Sequence, residues 1–214
     1  MNKYGENITS ISADYIICAT GGASGKNLGT DGSAYQLYKN LGHTVTALYP
    51  SLVQLKTELD AIRVLKGVKF NCSVKLYSDN TLIKQSEGEI LFTEYGISGP
   101  AVFDISGDAA AASEKSKTYV IIDFLPEYEE RRILDFLNRR KKILPLLPLE
   151  NAFITLISTQ CVRAAINLCK MKFYTPLGTV REQDLTEITK TLKNFRLAVT
   201  GTTGFNNSQV TKGG

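Results

Sequence analysis

The chain is almost without histidine: among its 214 residues only His43 is present. A Ser-His-Asp or Cys-His mechanism would have to run through that one imidazole, and a histidine-rich metal site is excluded. The four cysteines, Cys18, Cys72, Cys161 and Cys169, form no CxxC pair, and their spacing suits neither zinc nor a dense disulfide framework. That pattern fits reduced thiols in a cytosolic protein. No window reaches the roughly eighteen consecutive apolar residues that would cross a membrane. The segment from Met1 to Ser10 is polar and lacks an apolar signal core, which argues against secretion. One-sided charge is scarce too: 25 basic residues face 21 acidic ones. That balance gives no strong field toward nucleic acid. Also missing are internal repeats, low-complexity linkers and any GxGxxG, the fingerprint that would seat a pyrophosphate on a helix N-terminus.

What is present is ordinary globular material, 43% hydrophobic. Asp14 to Thr20 (DYIICAT) is a short apolar run with β-branched residues, ended by Gly21-Gly22, and predicts a buried strand of a parallel sheet. A glycine-rich loop follows to Gly32. Ala34, Leu37, Tyr38 and Leu41 then fall at helical spacing, with Gly42 as the stop. Val68 to Leu76 alternates strictly and predicts a half-buried antiparallel strand. Ser78-Asp79-Asn80 reads as a turn into a return strand, Thr81 to Gln85. Glu87-Gly88 reads as a second turn, into a strand from Glu89 to Thr93. Thr118 to Phe124 is a fourth strand of this region, and Ser98-Gly99-Pro100 opens a short helix through Ile105. From Pro126 to Phe195 the pattern is mostly helical: Glu127 to Ile143, broken by Pro145 and Pro148, then Asn151 to Lys170, then a helix opened by an Asp184-to-Glu187 capping box. Leu197 to Thr200 and Ser208 to Thr211 close the chain as short strands.

The loop from Gly21 to Gly32 carries two readings. Glycine lets backbone approach a ligand closely, and Thr30-Asp31-Gly32 precedes a helix whose free N–H groups favour an anion such as a nucleotide phosphate. The plainer reading is a wide turn with Asp31 as an N-cap. Other residues are weighed in the same way. His43 either orients a substrate or caps a helix end. Tyr95 is either a proton donor or a packed ring with a wet hydroxyl. Arg139 to Lys142 touches phosphate or RNA, or is a solvated helix face. Cys18 reads as buried and inert, and Cys161 and Cys169 as core residues of one helix.

Four segments together resemble a known family: ATGG (Ala19 to Gly22), GTDGSAYQLYKNLGHTVTALYPSLVQLK (Gly29 to Lys56), GEILFTEYGISGPAVFDIS (Gly88 to Ser106) and LAVTGTTGFNNSQVTKGG (Leu197 to Gly214). They are similar to the BaiN/YhiN-type flavoproteins, NAD(P)/FAD-dependent oxidoreductases. The resemblance implies an α+β chain. Residues 1–46 would be the edge of an FAD-binding α/β domain, and 47–125 a β-barrel-like insert. Residues 126–195 would be a small helical bundle within that insert, and 196–214 the strands returning toward the FAD domain. By the same resemblance Ala19, Thr20, Gly21 and Gly22 would pass close to FAD. Gly29, Thr30, Asp31 and Gly32 would lie near the flavin and the substrate side, and Thr211, Gly213 and Gly214 would approach the flavin ring. Gly96 to Ala101 would border the substrate pocket. Many members carry Thr-His before the aromatic where this chain has Thr93-Glu94-Tyr95, so no role of that histidine carries over.

These expectations describe the central portion of a cytoplasmic flavoenzyme. Its partners would be NAD(P)H and a small-molecule substrate, with no nucleic acid and no membrane. FAD would be held by the full-length protein and not by this portion alone. An exposed sheet edge at Asp14 to Thr20 would invite repacking or self-association. The alternative is a stand-alone ligand-binding or protein-interaction module without catalysis, its glycines serving only as turns.

Overall fold

The computed structural model describes residues 12–214, so the polar stretch from Met1 to Ser10 lies outside the described residues. After an extended stretch and a one-turn 3-10 helix (Lys26–Leu28) comes α1 (Ala34–Asn40). The chain then runs β1 (Tyr49–Ser51), β2 (Leu55–Thr57), β3 (Lys69–Ser78), β4 (Thr81–Phe92), β5 (Gly96–Ser98), α2 (Pro100–Ser113) and β6 (Thr118–Asp123). Three helices follow, α3 (Glu130–Ile143), α4 (Thr159–Leu168) and α5 (Glu182–Lys193), and then β7 (Phe195–Thr202) and β8 (Val210–Lys212).

Six strands close into an antiparallel barrel in the order β2-β5-β4-β3-β6-β7, and β7 pairs back to β2. The alternation read from Val68 to Leu76 is the cause: Cys72, Val74 and Leu76 point inward, where they meet Ile90 and Phe92 of β4, Val120 and Ile122 of β6, and Leu197 of β7, all buried. The helix α2 is rich in alanine and lies against β1, β3, β4 and β7. Its small residues allow that close approach. The chain is therefore α+β, built on an antiparallel barrel with a helical bundle, as expected.

Several local expectations are corrected. Asp14 to Thr20 forms no strand among the described residues, and Tyr15, Ile16 and Ile17 are 92%, 79% and 93% exposed. A strand forms only where a neighbour pairs with it, and none of the described strands lies beside this segment. Cys18 is accordingly exposed, not buried. Glu87-Gly88 is no turn: β3 and β4 stay paired through Cys72 opposite Gly88, so two expected strands are one of twelve residues. The helix from Pro100 runs on past Ile105 to Ser113. Helix α5 starts earlier than read, with Arg181 at the cap position and no side-chain cap bond; Asp184 lies in its first turn and pairs with the Arg181 guanidinium. That contact holds the Asp184 carboxyl below the usual carboxylate range.

The bundle is spliced into the barrel between β6 and β7, and its two ends are tied together. Lys193, at the end of α5, reaches Asp123 at 2.8 Å. It also donates to the carbonyls of Leu125 and Tyr128. Phe124 continues the barrel core into the bundle, its ring packed at 4.9 Å from Phe195 and 5.1 Å from Phe70. Barrel and bundle share one hydrophobic core.

Burial sorts the thiols. Desolvation pushes Cys72 up to about 12 and Cys161 to about 11, from an ordinary value of 9.0. Below pH 9 both thiols are protonated whether the chain is folded or not. Above it the unfolded chain releases protons that the native state retains, so this contribution to stability is lost as pH rises toward the folded values. Thermal melts from pH 8 to pH 11 should show a steeper fall for the wild type than for a Cys72→Ala/Cys161→Ala variant, each scored against its own value at pH 8. Parallel slopes would contradict the assignment. At pH 8 a thiol reagent should modify Cys18 at once and reach Cys72 and Cys161 only on unfolding.

Candidate functional site

Two segments far apart in sequence meet outside the barrel: the glycine loop after Thr20, and the tail carrying β8. The contact is made by hydroxyls. Thr211 Oγ1 accepts the N–H of Ala23 at 2.9 Å and that of Ser24 at 3.1 Å. It also lies 3.0 Å from Ser24 Oγ, which is 2.6 Å from Ser208 Oγ. Ser208 donates to the carbonyl of Phe205. Directions follow from these partners. Thr211, with both acceptor sites taken by amides, gives its own proton to Ser24, Ser24 gives its proton to Ser208, and Ser208 ends the chain on a carbonyl. Ser24 and Ser208 are both buried. Thr30 donates from the other side of the loop to the carbonyl of Ser24.

The glycines serve this approach. A Cβ on Gly22 would stand 2.6 Å from Thr211 Oγ1, and one on Gly21, at φ +72°, would stand 2.5 Å from Thr30 Cγ2. Gly213 leaves no room for a Cβ against the Ala47 carbonyl. Thr46 Oγ1 lies 3.0 Å from the Gly214 N–H, which it accepts. The Tyr35 ring closes the same space, with Gly22 and Gly214 beside it. Together Gly21, Gly22, Ser24, Thr30, Tyr35 and Thr211 line an open cleft of about 390 Å³. Behind it the β1–β8 ribbon rests on α2. Gly107 is pressed against Ser51 and Lys212, Lys212 pairs with Asp108, and Lys84 reaches Asp104 at 2.8 Å. Lys84 holds the Asp104 carboxyl below its ordinary value.

Of the residues expected near a ligand, the structure gathers Gly21, Gly22, Thr30, Thr211, Gly213 and Gly214. Thr20 sits at the margin, its hydroxyl 2.6 Å from that of Tyr38. Ala19 and Gly29 are exposed, and a Cβ on Gly29 would meet nothing within 4 Å. Asp31 is not the N-cap that the plainer reading expected: Ser33 holds that position without a side-chain cap bond, and the Asp31 carboxylate accepts the Ser33 N–H at 2.9 Å in a local turn before α1. Gly96 to Ala101 forms β5 and the first turn of α2 within the barrel wall. His43 is exposed, and its N–H closes the end of α1 on the Tyr38 carbonyl. Sequence reading missed Ser24 and Ser208, which meet across 184 residues, and Tyr35. No local pattern announces such a pairing.

A closed antiparallel barrel interrupted by a helical bundle, with glycine loops converging beside it, is the frame these residues define. The family described as "HI0933-like protein barrel and H2TH domain" matches residues 49–210. The chain belongs to that family, one of FAD-dependent oxidoreductases. It is 30% identical over 203 residues to the 3-dehydro-bile acid delta(4,6)-reductase of Clostridium scindens, covering 94% of this chain and 50% of that protein. It is 27% identical to the ribosomal RNA dihydrouridine synthase of Escherichia coli and 26% identical to that of Haemophilus influenzae. Those matches each cover 97% of this chain, and 50% and 49% of the respective relatives. The chain thus spans about half the length of the curated relatives it matches.

Proposed function

We propose that this chain is the barrel-and-bundle portion of a larger FAD-dependent oxidoreductase. In that reading NAD(P)H reduces the flavin, and the substrate is an unsaturated or carbonyl-bearing organic molecule. The supporting observation is the convergence of Gly21, Gly22, Thr30 and Thr211 on one cleft in a chain of this family. The fit to the cofactor is partial in an informative way. Glycine backbone, Tyr35 and the hydroxyl chain suit the polar edge of a flat ring. Phosphates are not provided for: the N–H at the start of α1 is already taken by Asp31, whose charge would repel them. A phosphate clamp would have to come from elsewhere in the full-length protein.

When bound, the flavin would supply the hydride. This chain's residues would hold and cover it. The Gly21–Gly22 turn would bring backbone to its edge, Thr211 would keep that turn in place, and the barrel would wall the substrate pocket. The names of the relatives narrow the substrate. A bile acid delta(4,6)-reductase and a dihydrouridine synthase both deliver hydrogen to a ring carbon–carbon double bond. Hydride adds to one carbon, and a proton from a donor or solvent to the other. We place the protein in the cytoplasm, consistent with free thiols. The exposed Tyr15, Ile16 and Ile17 would be covered by the rest of the protein, or by a second copy when the chain is alone.

FAD titration of this chain beside the full-length gene product tests the reading. The full-length product should retain one flavin that NAD(P)H bleaches, while the 214-residue chain should retain none. A full-length product that binds no flavin would sink the proposal.

A further inference from the structure

The hydroxyls that line the glycine cleft are not equivalent. Thr211 gives its proton to Ser24, Ser24 gives its own to Ser208, and Thr30 gives its proton to the Ser24 carbonyl. Tyr35 differs: among the described residues its hydroxyl has no hydrogen-bond partner, so its proton is uncommitted. A phenol is also a far stronger acid than an aliphatic alcohol. Among the described residues no carboxylate, imidazole, thiol or ammonium group lines the cleft to compete with it.

The ring is held where that proton can be used. Tyr35 lies in the first turn of α1, partly buried. Glycines from three segments frame it. A Cβ on Gly22 would stand 3.3 Å from its hydroxyl oxygen, one on Gly32 would stand 3.5 Å from Cδ2, and one on Gly214 would stand 3.1 Å from Cε1. Tyr38 meets the ring edge-on, with centroids 6.4 Å apart and planes at 78°. Side chains at Gly22 or Gly214 would crowd the hydroxyl; glycine leaves it open to the cleft. Tyr95, the donor that the sequence offered, lies between β4 and β5 and lines none of this space.

We infer that Tyr35 is the proton donor of the reduction. The inference rests on the reductase reading and deepens it by naming the group that supplies the second hydrogen. In a ring double bond conjugated to a carbonyl, the far carbon takes a hydride from the reduced flavin. The displaced π pair then forms a C–H bond with the Tyr35 proton as the phenol O–H bond breaks. The substrate gains two electrons and two hydrogens, and the flavin is oxidised. The phenolate regains its proton from water, which the open cleft admits.

Tyr35→Phe keeps the ring and removes only the proton. In the full-length protein the variant should retain flavin with an unchanged absorbance spectrum, and NAD(P)H should reduce it within about twofold of the wild-type rate. The loss should fall on reoxidation, followed anaerobically by the return of flavin absorbance with a steroid dienone and with free uridine as acceptors. The faster of the two acceptors should react about a hundredfold more slowly, or worse, with the variant. In heavy water the wild type should place deuterium on one face of the protonated carbon. Residual product of the variant should carry it on both faces, because solvent replaces a fixed donor. Reoxidation of Tyr35→Phe at the wild-type rate, or of the wild type by neither acceptor, would overturn the assignment. So would loss of flavin from the variant, since the hydroxyl would then serve the cofactor. A wild type that holds no flavin removes the reductase reading as well, so flavin content tells the two failures apart.

Discussion

Gly96→Ala should destabilise the protein by about 4 kcal/mol. The barrel closes through β5, three residues that bridge β4 to β2. At Gly96 the backbone stands at φ +151°, and a Cβ would overlap the Leu55 carbonyl oxygen and lie 2.8 Å from the Thr57 nitrogen. Those are backbone atoms of β2, with no rotamer to escape into. The new methyl can be housed only by parting β5 from β2, which opens the barrel. Gly99 is placed similarly, at φ +105° with a Cβ 2.5 Å from the Glu89 carbonyl oxygen, and Gly99→Ala should follow closely. Gly204 is the control: its φ is +82° but nothing lies within 4 Å of a Cβ, so Gly204→Ala carries the conformational cost alone, about 1 kcal/mol. Urea unfolding of the three variants gives the ranking. A Gly96→Ala variant within about 1 kcal/mol of Gly204→Ala would mean that the seam between β5 and β2 is not held by backbone contact.

The same glycines explain how far the sequence could be read. Strict alternation from Val68 to Leu76 announced an antiparallel strand because side-chain period and burial agree at every step but Ser73, which is buried too. Gly88 misled because glycine beside Glu87 has turn chemistry in isolation. Only the continued pairing with β3, and the start of α2 close over it, show that it is a strand glycine. Asp14 to Thr20 misled for the opposite reason. Its composition is that of a buried strand, but strand formation is a property of the neighbours, and among the described residues none pairs with it. Within the site, Asp31 was legible as a local turn residue, since its partner is two residues away, but the cap position itself falls to Ser33. The Ser24–Ser208 contact was not, because nothing in either tripeptide specifies a partner so distant. The basic run of α3 was visible as letters. Its division into bonded and unbonded members came only with the three-dimensional partners of Arg140 and Lys141.

Thr211→Val separates the site from the scaffold. The substitution keeps shape and removes the hydroxyl. The Ala23 and Ser24 amides lose their acceptor, and the buried Ser24 hydroxyl loses one of its two partners. Leaving such groups unpaired costs about 1–3 kcal/mol each, less where water can enter, and the half-exposed Thr211 allows some entry. The penalty falls on the loop and not on the barrel, whose core contains none of these residues. Hydrogen exchange at Ala23 and Ser24 should therefore accelerate by at least about tenfold, while the urea midpoint of the barrel moves little. In the full-length protein the same change should weaken FAD retention by roughly ten- to a hundredfold, the equivalent of losing one or two bonds that hold the Gly21–Gly22 turn in place. Thr211→Ser restores the hydroxyl without the methyl and should recover most of both effects. Were Thr211→Val to leave exchange and flavin retention untouched, the hydroxyl chain would be a packing detail of the tail. Were Thr211→Ser to fail along with it, the methyl and not the hydrogen bonds would be what seats the loop.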